Sequence, residues 1–215
     1  MLQTQPAPPI SSINKLMGAV AKTKNYQDVI FMYRRVVEVD LLPGYITLNI
    51  LLNCYCSMKN VALGFSVLGG IFKRVYSPNI VTFTSLIKGL CMEDKIDDAV
   101  MLFDKIIGMR FKPSIWTWGT LIKGLCRSGK AEVALCLHKE AGKWNGKSDL
   151  RFRPDLICYA TLIHGLCKEG LLNKGKQLFL EMKDKGIMPD LVTYSGLIHG
   201  LCEAGEGEEA KHFFI

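Results

Sequence analysis

Cysteine and histidine, the side chains that most often bind metals or act as nucleophile and base, recur in this sequence at regular intervals. Five of the eight cysteines are separated by steps of 35, 35, 41 and 35 residues, and they are Cys56, Cys91, Cys126, Cys167 and Cys202. Thiolate and imidazole groups can hold zinc, but structural zinc sites take their ligands as closely spaced pairs. Cys54 and Cys56 have no matching second pair, so the sequence predicts neither a metal site nor another cofactor.

The periodic cysteines belong to an apolar helical stripe. Each one ends a recurring phrase, of which Leu86-Ile87-Lys88-Gly89-Leu90-Cys91 is an example. The apolar residues of this segment follow the i, i+3, i+4, i+7 spacing of one helix face. A reduced, buried cysteine packs like a small hydrophobic residue. The thiols are therefore predicted to be core residues of a protein from a reducing compartment. The four histidines are dispersed, and no nucleophile–base pair stands out, so the chain is not expected to be an enzyme.

A period of about 35 residues indicates stacked supersecondary units rather than one globular core. Each predicted unit begins two residues after a proline, and these prolines are Pro8, Pro43, Pro78, Pro113, Pro154 and Pro189. An N-terminal extension, 1–9, precedes the array at 10–215. The predicted units are 10–44, 45–79, 80–114, 115–155, 156–190 and an incomplete 191–215. The unit 115–155 has a six-residue insertion near 144–149, whose composition predicts a loop.

Each unit contains a second helical stripe, as at Ala99, Leu102, Phe103 and Ile106. Between the two stripes, several units have a glycine suited to the left-handed conformation that ends a helix: Gly129, Gly170 and Gly205. The prolines end the second helix. The residues after them are good N-caps for the next one: Asn79, Ser114, Asp155 and Asp190. The fold predicted is all-α, an α-solenoid of helix-turn-helix repeats.

The formal net charge of +7 favours a polyanionic partner for one face of such an array. No apolar run reaches the ~18 residues of a transmembrane helix, so no membrane insertion is expected. The segment 1–9 shows no secretory signal or transit peptide. Residue 215 falls inside a second helix, where Phe213, Phe214 and Ile215 would form an uncovered apolar end. A truncated, inactive gene product is therefore one alternative.

Two segments, Asn79 to Cys91 and Asp190 to Cys202, resemble the opening of a pentatricopeptide repeat, and Leu178 to Asp190 resembles its close. The resemblance extends over nearly the whole chain, whereas the Trp/Leu-Gly/Tyr pattern of tetratricopeptide repeats is absent. The uninterrupted rhythm is similar to the pure P class, including plant fertility-restorer-like members. This resemblance implies a right-handed superhelix that binds single-stranded RNA sequence-selectively. It also implies action by occupancy in RNA processing, stability or translation, in mitochondria or alternatively in chloroplasts.

The family reads about one base per repeat with two or three side chains. The resemblance assigns the main reader to the fifth residue of each unit: Asn14, Asn49, Thr84, Gly119, Ala160 and Ser195. It assigns a second reader to the last residue: Gly44, Asn79, Ser114, Asp155 and Asp190. Amides and hydroxyls can donate to or accept from a base edge. Gly119 and Ala160 depart from this pattern and are predicted to read weakly or not at all. Capping alone would also explain the last-residue column, and simple exposure the fifth.

The resemblance places the second residue of each unit beside a base: Ser11, Ile46, Val81, Trp116, Ile157 and Val192. Trp116 offers a stacking surface, although packing onto a neighbouring repeat is an equal alternative. Phosphate contacts are expected near the end of the first helix, where only Lys22, Arg127 and Lys168 are basic, which suggests modest affinity. The alternative function is a peptide-binding solenoid. The short side chains of the fifth-residue column favour a base over a peptide.

The resemblance also predicts a base order. Asparagine at the fifth position goes with pyrimidines and Thr or Ser with purines, with the protein's N-terminus at the 5′ side of the RNA. The predicted site is pyrimidine, pyrimidine, purine, two loose positions and purine. Changing Asn49→Thr together with Asn79→Asp should move the second position towards G, by the ~1–3 kcal/mol that one base contact provides. Competition binding with RNAs that differ at that base measures this, and an unchanged preference would refute the assignment.

Overall fold

The structure is a computed structural model that describes residues 9–144 and 155–211, with only the backbone of 141–144. The predicted loop insertion beyond Trp144 and the predicted apolar end at Phe213, Phe214 and Ile215 lie outside these residues. In the described part the ordered structure is entirely helical, without strands. This confirms the predicted fold class, a series of helix-turn-helix repeats. None of the described helices combines the length and the apolar composition that a membrane span requires.

The described helices alternate between a first and a second helix. The first helices are α1 (Ile10–Lys22), α3 (Tyr45–Ser57), α5 (Ile80–Met92), α7 (Ile115–Arg127), α9 (Leu156–Lys168) and α11 (Leu191–Glu203). The second helices are α2 (Tyr26–Glu38), α4 (Val61–Lys73), α6 (Ile96–Gly108), α8 (Ala131–Trp144), α10 (Leu172–Asp184) and α12 (Gly207–Lys211). Each first helix begins at the first residue of one of the repeats that we propose from the sequence.

The chain divides into two compact units, Met1–Leu102 and Phe103–Ile215. In the first unit, α3 packs against α1, α2, α4 and α5. In the second unit, α9 packs against α7, α8, α10 and α11. Within each unit a first helix therefore contacts its own second helix and the first helices on either side. The core consists of the apolar stripes that the sequence predicts, such as Leu86, Ile87 and Leu90 in α5.

The cysteine of one repeat lies against the glycine of the next first helix. A Cβ atom added to Gly89 would lie 2.9 Å from Cys56 Cβ, one on Gly165 would lie 2.7 Å from Cys126 Sγ, and one on Gly200 would lie 2.6 Å from Cys167 Cβ. Burial raises the pKa of the thiols of Cys56 and Cys126 to about 12, so they stay protonated and weakly nucleophilic. These contacts confirm that the thiols are packing residues.

Cys202 is the exception, because its side chain is exposed although it occupies the same repeat position. The prediction that it is a core residue is wrong. Cys56, Cys126 and Cys167 are covered by the glycine of the following first helix, whereas the described residues after α11 include only α12, a second helix.

The turns that follow the helices use the left-handed backbone region. After the first helices it is occupied by Lys24, Lys59, Asp94, Gly129, Gly170 and Gly205, with φ between 57° and 78°. After the second helices it is occupied by Asp40, Val75, Arg110 and Gly186, with φ between 53° and 72°. The predicted role of the three glycines is confirmed. Val75 is β-branched, and the left-handed region is most strained for such side chains.

Helix N-termini are capped both within and between repeats. The four predicted N-cap residues, Asn79, Ser114, Asp155 and Asp190, accept backbone N–H bonds through their side chains. In addition, the carboxylate of Glu169 accepts the backbone N–H of Ala131 at the start of α8, over 2.8 Å. Glu93 binds the N–H of Val61 at the start of α4 in the same way. Because helix N-termini leave backbone donors unpaired, Glu93 joins the end of α5 to the start of α4, and Glu169 joins the end of α9 to the start of α8.

Val75→Gly should raise the free energy of unfolding by about 1 kcal/mol, because glycine adopts the positive φ without the steric cost. Val75 is 90% exposed, so little packing is lost. The midpoint of urea denaturation measures the change. The reverse change at the equivalent turn, Gly186→Val, should lower the midpoint, and a lower midpoint for Val75→Gly as well would contradict the strain assignment.

Candidate nucleic-acid interface

The second residues of the repeats form a column of exposed apolar side chains. Many large apolar residues are buried, whereas these five are 60–75% exposed: Ile46, Val81, Trp116, Ile157 and Val192. Each is the second residue of a first helix, two positions after the N-cap. Ser11 is also exposed but polar. The same position thus presents an apolar surface in five repeats, which is the arrangement expected of residues that cover base faces.

Trp116 and Trp118 show the two possible uses of a tryptophan side by side. Trp118 is 5% exposed and packs edge-to-face against Phe103 with ring centroids 4.7 Å apart. Trp116 is 75% exposed. The alternative that Trp116 mainly packs onto a neighbouring repeat therefore does not hold, and its indole is open to a ligand.

The fifth residues differ in how they are held. Asn14 and Asn49 are half-buried and accept hydrogen bonds from threonines of the next repeat. Thr84 donates its hydroxyl to the carbonyl of Ile80 in its own helix, over 2.7 Å. Ser195 is exposed, and Ala160 is only 7% exposed. The two asparagines are thus fixed by neighbours and are not simply exposed polar side chains.

The last residues of the repeats serve as helix caps. Asn79 Oδ1 accepts from the N–H groups of Val81 and Thr82, and Asp190 Oδ1 accepts from the N–H of Thr193. Hydrogen bonds from Thr193 lower the pKa of the Asp190 carboxyl. Gly44 precedes α3 without a side-chain cap. Capping is therefore an observed role of this column, and any base contact must use the remaining side-chain atoms.

Two cavities open on the first-helix surface of the second compact unit. The smaller one, about 220 Å³, lies between α7 and α9 and brings together Trp116, Gly119, Asp155 and Ile157. It thus combines two predicted flanking residues, one fifth residue and one last residue. The missing side chain of Gly119 contributes the space, since a Cβ added there would meet only Cys158 Sγ, at 4.0 Å.

The larger cavity, about 430 Å³, is lined by residues of α7 and α9 and by the start of α11. It repeats the same combination with Ile157 and Val192 as flanking residues, Ala160 as the fifth and Asp190 as the last. The predicted phosphate ligands Arg127 and Lys168 also line it. Lys22, the third of these cations, is exposed at the end of α1 in the other unit.

Lys123 lines both cavities, and His164 lines the larger one, but neither residue was predicted as a contact. They belong to a ninth-residue column of Lys88, Lys123, His164 and His199, the third position of the recurring phrase. Lys88 Nζ donates to Ser57 Oγ over 3.0 Å. Ser57 occupies the repeat position at which Lys22, Arg127 and Lys168 stand in other repeats, so the Lys88 ammonium places a positive charge where the preceding repeat has none. The recurrence of Lys and His at this position of the repeat is the sequence feature that could have identified these residues as candidate ligand contacts.

Models of two related families match most of the chain. The PPR repeat family matches residues 43–92, 78–127 and 154–203, and the PPR repeat matches residues 116–145 and 192–215. The chain belongs to the PPR family. The resemblance of its repeats to the pentatricopeptide repeat is thereby confirmed.

Curated relatives are plant PPR proteins. A putative mitochondrial pentatricopeptide repeat-containing protein of Arabidopsis thaliana is 34% identical over 105 residues, which is 49% of this chain and 17% of that protein. The mitochondrial protein Rf1 of Oryza sativa subsp. indica is 32% identical over 94 residues, 42% of this chain and 12% of that protein. The matched segments thus span at most about a sixth of these relatives.

Solved PPR structures share the fold. PPR10 in complex with an 18-nt psaJ RNA element superposes with a TM-score of 0.63 and 19% identity, covering 100% of this chain and 35% of that one. The PPR domain of the Arabidopsis thaliana protein-only RNase P 1, in complex with tRNA, superposes with a TM-score of 0.68 and 15% identity. That superposition covers 88% of this PPR chain and 97% of the other.

Trp116→Ala should leave the free energy of unfolding within about 0.5 kcal/mol, as expected for an exposed side chain. Trp118→Ala, two residues further along the helix, should lower it by ~3–5 kcal/mol, because it removes a buried aromatic ring. Chemical denaturation of both variants provides the comparison. A loss of several kcal/mol for Trp116→Ala would show that this indole is needed for packing.

Proposed function

We propose that this PPR protein binds single-stranded RNA sequence-selectively, with one base in each gap between successive first helices of the same compact unit. The observation that carries the proposal is the pair of cavities in the second unit. Each cavity is lined by two exposed apolar second residues of successive repeats. One fifth residue and one last residue, which caps a helix, also line it. Flat apolar or aromatic surfaces on both sides of a gap suit a base that has left its stack.

The cations next to these gaps suit the backbone of the same strand. Lys123, Arg127 and Lys168 line the larger cavity, close to the apolar surfaces rather than on a separate face. Electrostatic attraction to phosphates gives affinity without sequence preference, while contacts to base edges give selectivity. The net charge of +7 agrees with a polyanionic ligand. The family structures solved with an RNA element and with tRNA support the same ligand class.

The place and mode of action follow from the relatives. Several of these plant relatives are mitochondrial proteins, and we assign this chain to RNA processing, stability or translation in that organelle, with the chloroplast as the alternative. We propose that it acts by occupying its RNA rather than by catalysis. Among the described residues, the histidine with the greatest burial, His138, packs against Tyr159 and lies on neither cavity.

The protein should retain a single-stranded RNA pool better than the same pool as DNA or as duplex RNA, with affinity that falls as salt rises. Changing Lys123, Arg127 and Lys168 together to alanine should reduce the slope of log K against log salt by about 2, at roughly 0.7 per phosphate contact on a single strand. Filter binding across a salt series measures the slope.

The matched control removes three lysines whose ammonium groups already bind carboxylates: Lys174, Lys176 and Lys211. Their replacement by alanine changes the net charge equally and should leave the slope nearly unchanged. If the wild-type protein retains no RNA at low salt, the proposal fails and the peptide-binding alternative takes its place. Equal effects of both triple variants would show that only total charge matters.

A further inference from the structure

The third residue of four repeats is a threonine without exposed surface: Thr47, Thr82, Thr117 and Thr193. A buried hydroxyl needs a hydrogen-bond partner. Thr47 Oγ1 donates to Asn14 Oδ1 over 2.7 Å, and Thr82 Oγ1 donates to Asn49 Oδ1 over 2.6 Å. In both cases the acceptor is the fifth residue of the preceding repeat. Because a carboxamide oxygen cannot donate, the direction of these bonds is fixed.

Around Asn49 the bonds form a directed chain. The backbone N–H of Asn79 donates to Tyr45 Oη, over 3.0 Å. Tyr45 Oη and Thr82 Oγ1 are also 3.0 Å apart. Thr82 Oγ1 lies 3.4 Å from Asn79 Oδ1 but only 2.6 Å from Asn49 Oδ1, so we assign its single proton to Asn49 and the Tyr45 proton to Thr82. The chain thus runs from one predicted base reader, Asn79, through Tyr45 and Thr82 to the other, Asn49.

This chain decides which way the Asn49 amide points. While Oδ1 accepts from Thr82, Nδ2 donates one of its two hydrogens to the Tyr45 carbonyl over 3.0 Å. Rotating the amide by 180° would place Oδ1 against that carbonyl oxygen, where neither atom can donate, so the bond to the Tyr45 carbonyl would be lost. Nδ2 would then donate to Thr82 Oγ1, and the Thr82 proton would have to leave Asn49 for another acceptor. In the unrotated amide, the second hydrogen of Nδ2 is the donor that this side chain holds for a ligand.

Repeats whose fifth residue has no polar side chain show a different use of the third residue. Opposite Gly119 the next repeat has Cys158 in place of threonine. After Ala160 the next repeat does have a threonine, but Thr193 Oγ1 donates to its own N-cap, Asp190 Oδ1, over 2.7 Å. Thr193 therefore shows that a buried threonine does not need a bond to the fifth residue of the preceding repeat.

We propose that Thr82 and Thr47 are positioning residues, which orient Asn49 and Asn14 so that an amide N–H faces the base. This rests on the proposed RNA-binding function. Each such base site is then built from two repeats, since the reader comes from one repeat and the hydroxyl that orients it comes from the next. The ligand class for these sites is a base that presents a hydrogen-bond acceptor on its edge.

The test compares base preferences selected from a random single-stranded RNA pool by the full chain and its variants. Thr82→Val keeps the shape but removes the hydroxyl, and should lower the preference at one base position by about tenfold, within the range of a single base contact. Thr82→Ser restores a hydroxyl and should restore the preference. The matched control, Thr193→Val, also removes a buried hydroxyl, but this hydroxyl bonds Asp190 and no fifth-residue asparagine, so the preference at the position read by Asn49 should stay unchanged. An unaltered preference in Thr82→Val overturns the proposal.

A second measurement needs no RNA. In the free protein, the side-chain amide of Asn49 should have a high NMR order parameter, which falls in Thr82→Val and not in Thr193→Val. If the wild-type protein retains no RNA, the proposed function fails, while this measurement still decides whether Thr82 orients the amide. An order parameter that does not change in Thr82→Val overturns the positioning role even if RNA binds.

The pair of a fifth-residue asparagine and a third-residue threonine can also be introduced between two repeats that lack it. Gly119→Asn has room for its side chain, because only Cys158 Sγ lies as close as 4.0 Å to the new Cβ. Gly119→Asn with Cys158→Thr should create a new preference at one RNA position, several-fold stronger than Gly119→Asn alone. Equal preferences for the single and the double variant would contradict the role of the threonine.

Discussion

The close approach of successive first helices is the constraint on which the rest of this structure depends. At Gly89, Gly165 and Gly200 the backbone of one helix lies against the cysteine of the preceding repeat, with no room for a Cβ atom. A larger residue at either position would separate the helices, because protein interiors are packed to crystal-like density. The spacing of the exposed second residues, and so the width of the gaps between them, follows from this contact.

Polar groups near the N-termini of the first helices serve both the fold and the candidate site. Asn79 caps α5 with its side-chain oxygen while its backbone N–H begins the hydrogen-bond chain that reaches Asn49. A side chain already held by its neighbours loses little conformational freedom when a ligand arrives. The rigid helices of the repeat thus hold the predicted readers in place, whereas a flexible loop would have to order them on binding.

The surface of the candidate site departs from what stability alone would favour. Three apolar side chains are 63–75% exposed to water: Trp116, Ile157 and Val192. Three positively charged side chains line one cavity: Lys123, Arg127 and Lys168. By contrast, cations of the second helices, such as Lys176, bind carboxylates. Exposed apolar surface and unbalanced charge at the same place are typical of a binding site for a charged, partly apolar ligand.

By itself the sequence determined the period, the pairing of helices in each repeat, the caps and the buried thiols, because these depend on local periodicity and on which residues stop or cap a helix. It also pointed to the columns of the site. Only the tertiary structure showed that Trp116 is open while Trp118 is buried, that Cys202 is exposed, and that Lys88 and Lys123 lie near the gaps. It also showed that Thr82 holds Asn49. These facts depend on contacts between residues about 35 positions apart, in helices of different repeats, and a local pattern does not contain the geometry of such contacts.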